Sequence, residues 1–157
     1  MILGFNNKRR AFSLVELIIV VVIIGIIGAI AIPRLSRGSQ SASDNALRGN
    51  LAVLRRAIEL YAAEHDNVFP TADDFEEQLT QYTNLAGQFQ ATKASPYIYG
   101  PYIKEIPTLP VGANKGQRGV DDLTGATIGW IYDPASGTIR ANTTTEQDDN
   151  NVNYNAY

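Results

Sequence analysis

The chain of 157 residues has no cysteine, one histidine, one methionine and one tryptophan. Without cysteine there is no disulfide, no thiolate metal site and no cysteine nucleophile. The lone His65 has no second imidazole with which to share a metal. No Gly-rich phosphate loop or metal-ligand spacing is present either. The acid pairs Asp73/Asp74 and Glu76/Glu77 fall where a short exposed helix is expected, so no group is cast as catalytic. An excess of positive charge is also missing. Lysine and arginine number 13 against 16 acids, and three of the 13 are Lys8, Arg9 and Arg10. Without those three the net charge falls from −3 to −6. Such an acidic body lacks the positive footprint of a nucleic-acid binder.

What the chain does have is one long apolar run. From Phe12 to Ile32 the single charge is Glu16. As a helix that run is roughly 30 Å long, enough to cross a hydrocarbon core. A secretory signal peptide would have a shorter core with its small-residue cleavage site after it. Here the small residue, Ala11, comes first. A plain anchor accounts for the span, and Lys8, Arg9 and Arg10 place its N-terminus in the cytoplasm. It does not account for Glu16, because a carboxylate within an apolar span is costly and usually functional. The simpler alternative is that Glu16, one turn inside the span, reaches the headgroups.

The order KRRA, FSLVEL, then an apolar run ending at Ile32-Pro33, resembles the N-terminus of type IV pilins and type II secretion pseudopilins. The resemblance implies a leader, residues 1–11, removed by a prepilin peptidase between Ala11 and Phe12. The new amine of Phe12 is then methylated. The family usually has Gly before the cut, so Ala11 is a departure. Glu16 would pair with the terminal amine of a neighbouring subunit and set the axial register of assembly. A mismatched subunit would leave both charges unpaired in apolar surroundings. Gly25, Gly28 and Pro33 fall where the family softens this helix.

Beyond Pro33 the helical pattern continues. Leu47, Leu51, Leu54, Ile58 and Tyr61 form a one-sided stripe. Asp44 and Arg48 make an i, i+4 pair on another face. The spacing predicts one interrupted helix from about Phe12 to about Glu64, apolar all round over 12–33 and amphipathic over 34–64. His65 is expected as a surface turn residue. Thr71 is expected as the N-cap of a short helix carrying Phe75, Leu79 and Tyr82. Residues 84–95 read as a loop. YAAEHDNVFPT and GPYIKEIPTLPVG resemble the link and the extended segment of major pseudopilins, the second only in part. GWIYDPASGTIRAN reads as a β-hairpin. The α+β head thus runs over 65–142, followed by a flexible polar tail at 143–157. Asn142-Thr143-Thr144 is a glycosylation-type triplet.

The expected fold is α+β: a long N-terminal helix packed against a small antiparallel sheet, as in type IV pilins. No cofactor is expected from the residues. The resemblance implies one candidate, a calcium ion in the loop near the C-terminal strands, with Asp121, Asp122 and Asp133 as ligands. The other reading of these aspartates is plain solvation. The resemblance further implies a structural subunit of a helical filament, a homo-oligomer, as a type II secretion pseudopilin supporting export across the outer membrane. Its partners would be the prepilin peptidase, an inner-membrane assembly platform with its ATPase, and minor pseudopilins, with no nucleic acid. The subunit would wait in a bacterial inner membrane, N-terminus cytoplasmic and head periplasmic, before entering a periplasmic or cell-surface filament. Two alternatives remain: a true type IV pilin of a surface fibre, and a membrane-tethered binding module that does not polymerise.

Overall fold

A computed structural model describes residues 12–148 and 150–157. The leader expected at 1–11, with Lys8, Arg9, Arg10 and Ala11, lies outside the described residues. Helix α1 (Leu14–Glu64) runs for 51 residues, unbroken through Gly25, Gly28 and Pro33. Its length is about 75 Å. Packing divides the chain into two units, at Ser39/Gln40.

In the first unit, Leu14–Ile32 is a helix long and apolar enough to cross a membrane, with none of its residues buried. A helix hydrophobic on every side is suited to lipid or to a packed helical assembly.

The second unit is built on the rest of α1. Leu47, Leu51, Leu54, Ile58 and Tyr61 are all buried, as their spacing predicts. They pack with Phe75, Leu79, Ile106, Leu109, Trp130 and Tyr132 in one core. The helix ends where Asp66 and Asn67 take the left-handed conformation, with φ 53° and φ 62°. The Asn67 N–H closes onto the Ala62 carbonyl at 2.8 Å. A left-handed residue that satisfies a late helical carbonyl is a common helix stop. Helix α2 (Phe75–Thr80) begins later than expected. Its N-cap is Asp74, and Thr71 instead accepts the Asp74 N–H at 3.3 Å within a preceding turn.

Two small sheets complete the unit. Strands β1 (Tyr82–Thr83) and β2 (Phe89–Gln90) form an antiparallel hairpin, so Tyr82 lies in a strand and not on the short helix expected to carry it, and β2 falls inside the stretch 84–95 expected to be loop. Two-residue strands carry no readable alternation. The Asn84 side chain shapes the turn, accepting from the N–H of Ala86 at 3.1 Å and of Gln88 at 3.0 Å. In the second sheet, β4 (Ile128–Asp133) and β5 (Thr138–Ala141) are the expected antiparallel hairpin. Strand β3 (Gly119–Asp121) joins the other side of β4 in parallel, so this sheet is mixed rather than purely antiparallel. Parallel neighbours ordinarily need a long crossover. Here the overlap is confined to Gly119–Asp121. That is about 10 Å of strand, which a short return loop can retrace.

The segment 143–157 also departs from expectation. Its described residues, 143–148 and 150–157, pack on α1 where a flexible tail was expected. The Tyr154 ring is 2% exposed. Its hydroxyl donates to Asp44 Oδ1 at 2.8 Å and accepts from Gln40 Nε2 at 2.7 Å. Asp44 and Arg48 therefore find their partners in this segment instead of pairing with each other, Arg48 reaching Asp148 at 3.2 Å. Glu146 accepts the N–H groups of Ala113 at 2.9 Å and Thr144 at 2.8 Å. Composition pointed to a tail because few of these residues are apolar. Polar side chains that bond to backbone and to a helix face order the segment all the same.

Two outcomes follow for the full chain in detergent. Leu54 is fully buried and Leu123 is exposed. Leu54→Ala should cost about 2–5 kcal/mol in denaturant unfolding read by Trp130 fluorescence. Leu123→Ala should change the same measurement by less than about 0.5 kcal/mol. The backbone N–H groups of Ala113 and Thr144 hold the Glu146 carboxyl down at about 2. A depressed carboxylate stabilises the fold above its unfolded value, roughly 4.3, and that contribution is lost as pH falls towards about 2. Glu146→Gln should therefore flatten the fall of melting temperature between about pH 5 and about pH 2.

Candidate assembly site at the start of the helix

Ser13, Leu14, Val15 and Glu16 spell the S-x-x-E signature of a capping box, and the structure forms a variant of it in which the Ser13 hydroxyl takes the N–H of Val15 instead of that of Glu16. The Ser13 hydroxyl accepts the Val15 N–H at 3.3 Å, and Glu16 Oε2 accepts the Ser13 N–H at 2.9 Å. The Ser13 carbonyl takes the first helical bond, from the Leu17 N–H at 3.2 Å. Reading Glu16 only as a charge in an apolar run missed this local role. The S-x-x-E spacing was the signal that could have shown it. A carboxylate in the first turn also meets the positive end of the helix dipole.

The box fixes the helix start immediately after Phe12, which is non-helical and 83% exposed. Glu16 is exposed one turn further on. Its capping bond occupies a single lone pair, so the carboxylate retains acceptor capacity for a cationic partner. Gly25 and Gly28 have nothing within 4 Å of where a Cβ would be, so no contact within the described chain requires glycine there. Pro33 lies within the helix, which continues past it.

The three aspartates are not brought together as a metal site. Asp133 Oδ1 accepts the Ala135 N–H at 2.9 Å and its Oδ2 the Ser136 hydroxyl at 2.7 Å. These bonds hold its carboxyl below the ordinary range and commit it to its own turn. Asp121 Oδ1 accepts the Leu123 N–H at 3.2 Å. The neighbouring Asp122 is pushed up by its hydrogen bond with Asp121. Among the described residues no three histidine, aspartate or glutamate side chains come together in the clustered oxygen set that calcium requires.

One further expectation is corrected. His65 is 1% exposed, not a surface residue. It lies four residues after Tyr61, so it extends the core stripe by one more turn. Its ring stacks on Tyr61 at 3.8 Å. Nδ1–H donates to the Tyr61 carbonyl at 2.7 Å, and Nε2 lies 3.0 Å from the Thr83 hydroxyl. Asn142 is 5% exposed, and its amide donates to the carbonyls of Gly125 and Ile128 at 3.1 and 2.8 Å. That side chain holds β4 to its flanking loop and is not presented for glycosylation.

Comparison with known proteins bears on the same N-terminal region. The model of the prokaryotic N-terminal methylation motif matches residues 6–32. The type II secretion system core protein G of Escherichia coli (strain K12) is 28% identical over 125 residues, covering 76% of this chain and 82% of the relative. The protein of the same name from Klebsiella pneumoniae is 26% identical over 125 residues, covering 74% and 82%. No solved structure matches at a significant level. The chain thus matches the prokaryotic N-terminal methylation motif at its start and is similar, over about three quarters of its length, to type II secretion system core protein G.

Proposed function

We propose that this pseudopilin homologue works as the structural subunit of a helical filament in a type II secretion system, supporting protein export across the outer membrane. The observation that carries the reading is the pairing of an apolar helix, unburied over Leu14–Ile32, with one exposed carboxylate in its first turn. Such a helix needs lipid or other helices around it. The carboxylate needs a positive group wherever water is excluded. After cleavage between Ala11 and Phe12, the terminal amine of Phe12 in a neighbouring copy would meet that need. The prepilin peptidase would act first, on the cytoplasmic side of a bacterial inner membrane. An assembly platform with its ATPase would then draw the subunit from the membrane into a filament that includes minor pseudopilins, with the second unit in the periplasm. Similarity to core protein G favours this reading over a true pilin of a surface fibre or a tethered module that does not polymerise.

Glu16→Gln keeps the size and removes the charge. The variant should still be cleaved and held in the membrane. Filament yield, measured by shearing and immunoblot, should fall by about tenfold, since each added subunit would lack its charge partner. Wild-type filament yield from Glu16→Gln would sink the assembly role. Deleting the gene should abolish export of folded proteins. Intact export with loss of surface fibres would identify a pilin instead.

A further inference from the structure

We infer that residues 143–148 and 150–157 form a latch that closes onto the 40–55 stretch of α1 through hydrogen-bonded carboxylates, without the calcium ion that the family resemblance implies at Asp121, Asp122 and Asp133. The calcium expectation rests on the pseudopilin reading. The latch rests on geometry alone.

Its hub is Asp148, whose side chain is 1% exposed. One oxygen accepts the N–H groups of Asn150 and Val152, both at 2.8 Å. The other accepts Arg48 Nη2 at 3.2 Å, the Asn150 side-chain amide at 3.3 Å and the Tyr157 hydroxyl. The left-handed Asn151 (φ 62°) lets the chain fold back, so that the Asp148 N–H reaches the Val152 carbonyl at 2.9 Å. Arg48 also donates to the Tyr157 hydroxyl at 2.7 Å and lies 4.8 Å from the centre of that ring. Arg55 donates to the carbonyls of Tyr157 and Ile139, tying the last residue to β5.

The receiving face is a polar stripe. At about 100° per residue, Gln40, Asp44, Arg48 and Arg55 fall within an arc of about 80° on α1. It lies beside the leucine stripe, so the same helix holds the core with one face and the latch with the next.

This donor set is the reverse of a cation shell. A calcium ion needs six to eight oxygen lone pairs directed at it. At Asp148 the lone pairs already face N–H and O–H donors, one of them an arginine. That cradle stabilises an anion and repels a divalent cation. The latch also buries little apolar surface. Tyr154 lies in the hydrophobic core and Tyr157 packs against its edge, while Val152 is exposed. A segment held chiefly by polar bonds opens locally, at lower cost than the core it covers.

The test uses the full chain in detergent micelles. Limited proteolysis is followed by mass spectrometry, with Trp130 emission as the control for the core. Asp148→Asn replaces an acceptor with a donor that faces Arg48, Tyr157 and Asn150. Cleavage within 143–157 should accelerate about tenfold, as expected for loss of one charged hydrogen bond, with Trp130 emission unchanged. The wild type should be cut at one rate in millimolar calcium chloride and in chelator. Wild-type cleavage that calcium slows about tenfold would assign the closure to a metal. Asp148→Asn cleaved at the wild-type rate would equally overturn the latch. Should Asp148→Asn disturb Trp130, Tyr157→Phe removes the hydroxyl and keeps the ring. It should be cut about threefold faster, and no acceleration would count against the proposal. None of these readouts depends on filament assembly, so the pseudopilin reading stands or falls separately.

Discussion

The second unit depends on burial of one helix face, the stripe running from Leu47 through Tyr61 to His65. Each buried leucine or isoleucine is worth roughly 1.5–3 kcal/mol. The short strands β1, β2 and β3 could not supply that themselves, since strands of this length bury little and pair weakly. The sheets and loops are therefore organised by the helix they cover. His65 fits the same logic. The stripe continues for one turn after the sequence turns polar, and both imidazole nitrogens have partners. A polar ring so satisfied can occupy the core.

With no cysteine to staple the loops, aromatic side chains do much of that work. Each places a ring in or beside the core and a polar tip on a distant loop or helix. The Trp130 indole donates to the Pro107 carbonyl at 2.8 Å, and the Tyr132 hydroxyl to the Pro70 carbonyl at 3.0 Å. Tyr102 reaches Glu64 at 2.6 Å, and Tyr154 reaches Asp44 at 2.8 Å. Burial pushes the Tyr132 and Tyr102 hydroxyls above their ordinary range, in keeping with their use as neutral donors. The extended segment from Tyr102 to Leu109 is thus fixed at several points without regular secondary structure.

The first unit obeys the opposite rule. Its apolar residues cover every side of the helix, so nothing within the described chain can bury them. Glu16 then serves two ends. Within the subunit it completes a capping box with Ser13, which starts the helix just after Phe12. Its remaining lone pairs stay open to a cation from outside. A helix-start signal and an assembly signal share one carboxylate.

Elements whose signal is periodic or local were legible along the chain. The extent of α1 to within two residues, its buried leucine face, the β4–β5 hairpin and the apolar span with its single charge all belong here. Each depends on residues close together in sequence. The parallel β3, the packing of the described residues of 143–157 and the buried His65 emerged only in three dimensions, because distant residues set them. Polar side chains explain most of that difference. Asp44, Asn142 and Asp148 have the composition of a surface, and hydrogen bonds to particular partners bury them. Which partner a polar group meets is a matter of three-dimensional geometry, and spacing along the chain does not encode it.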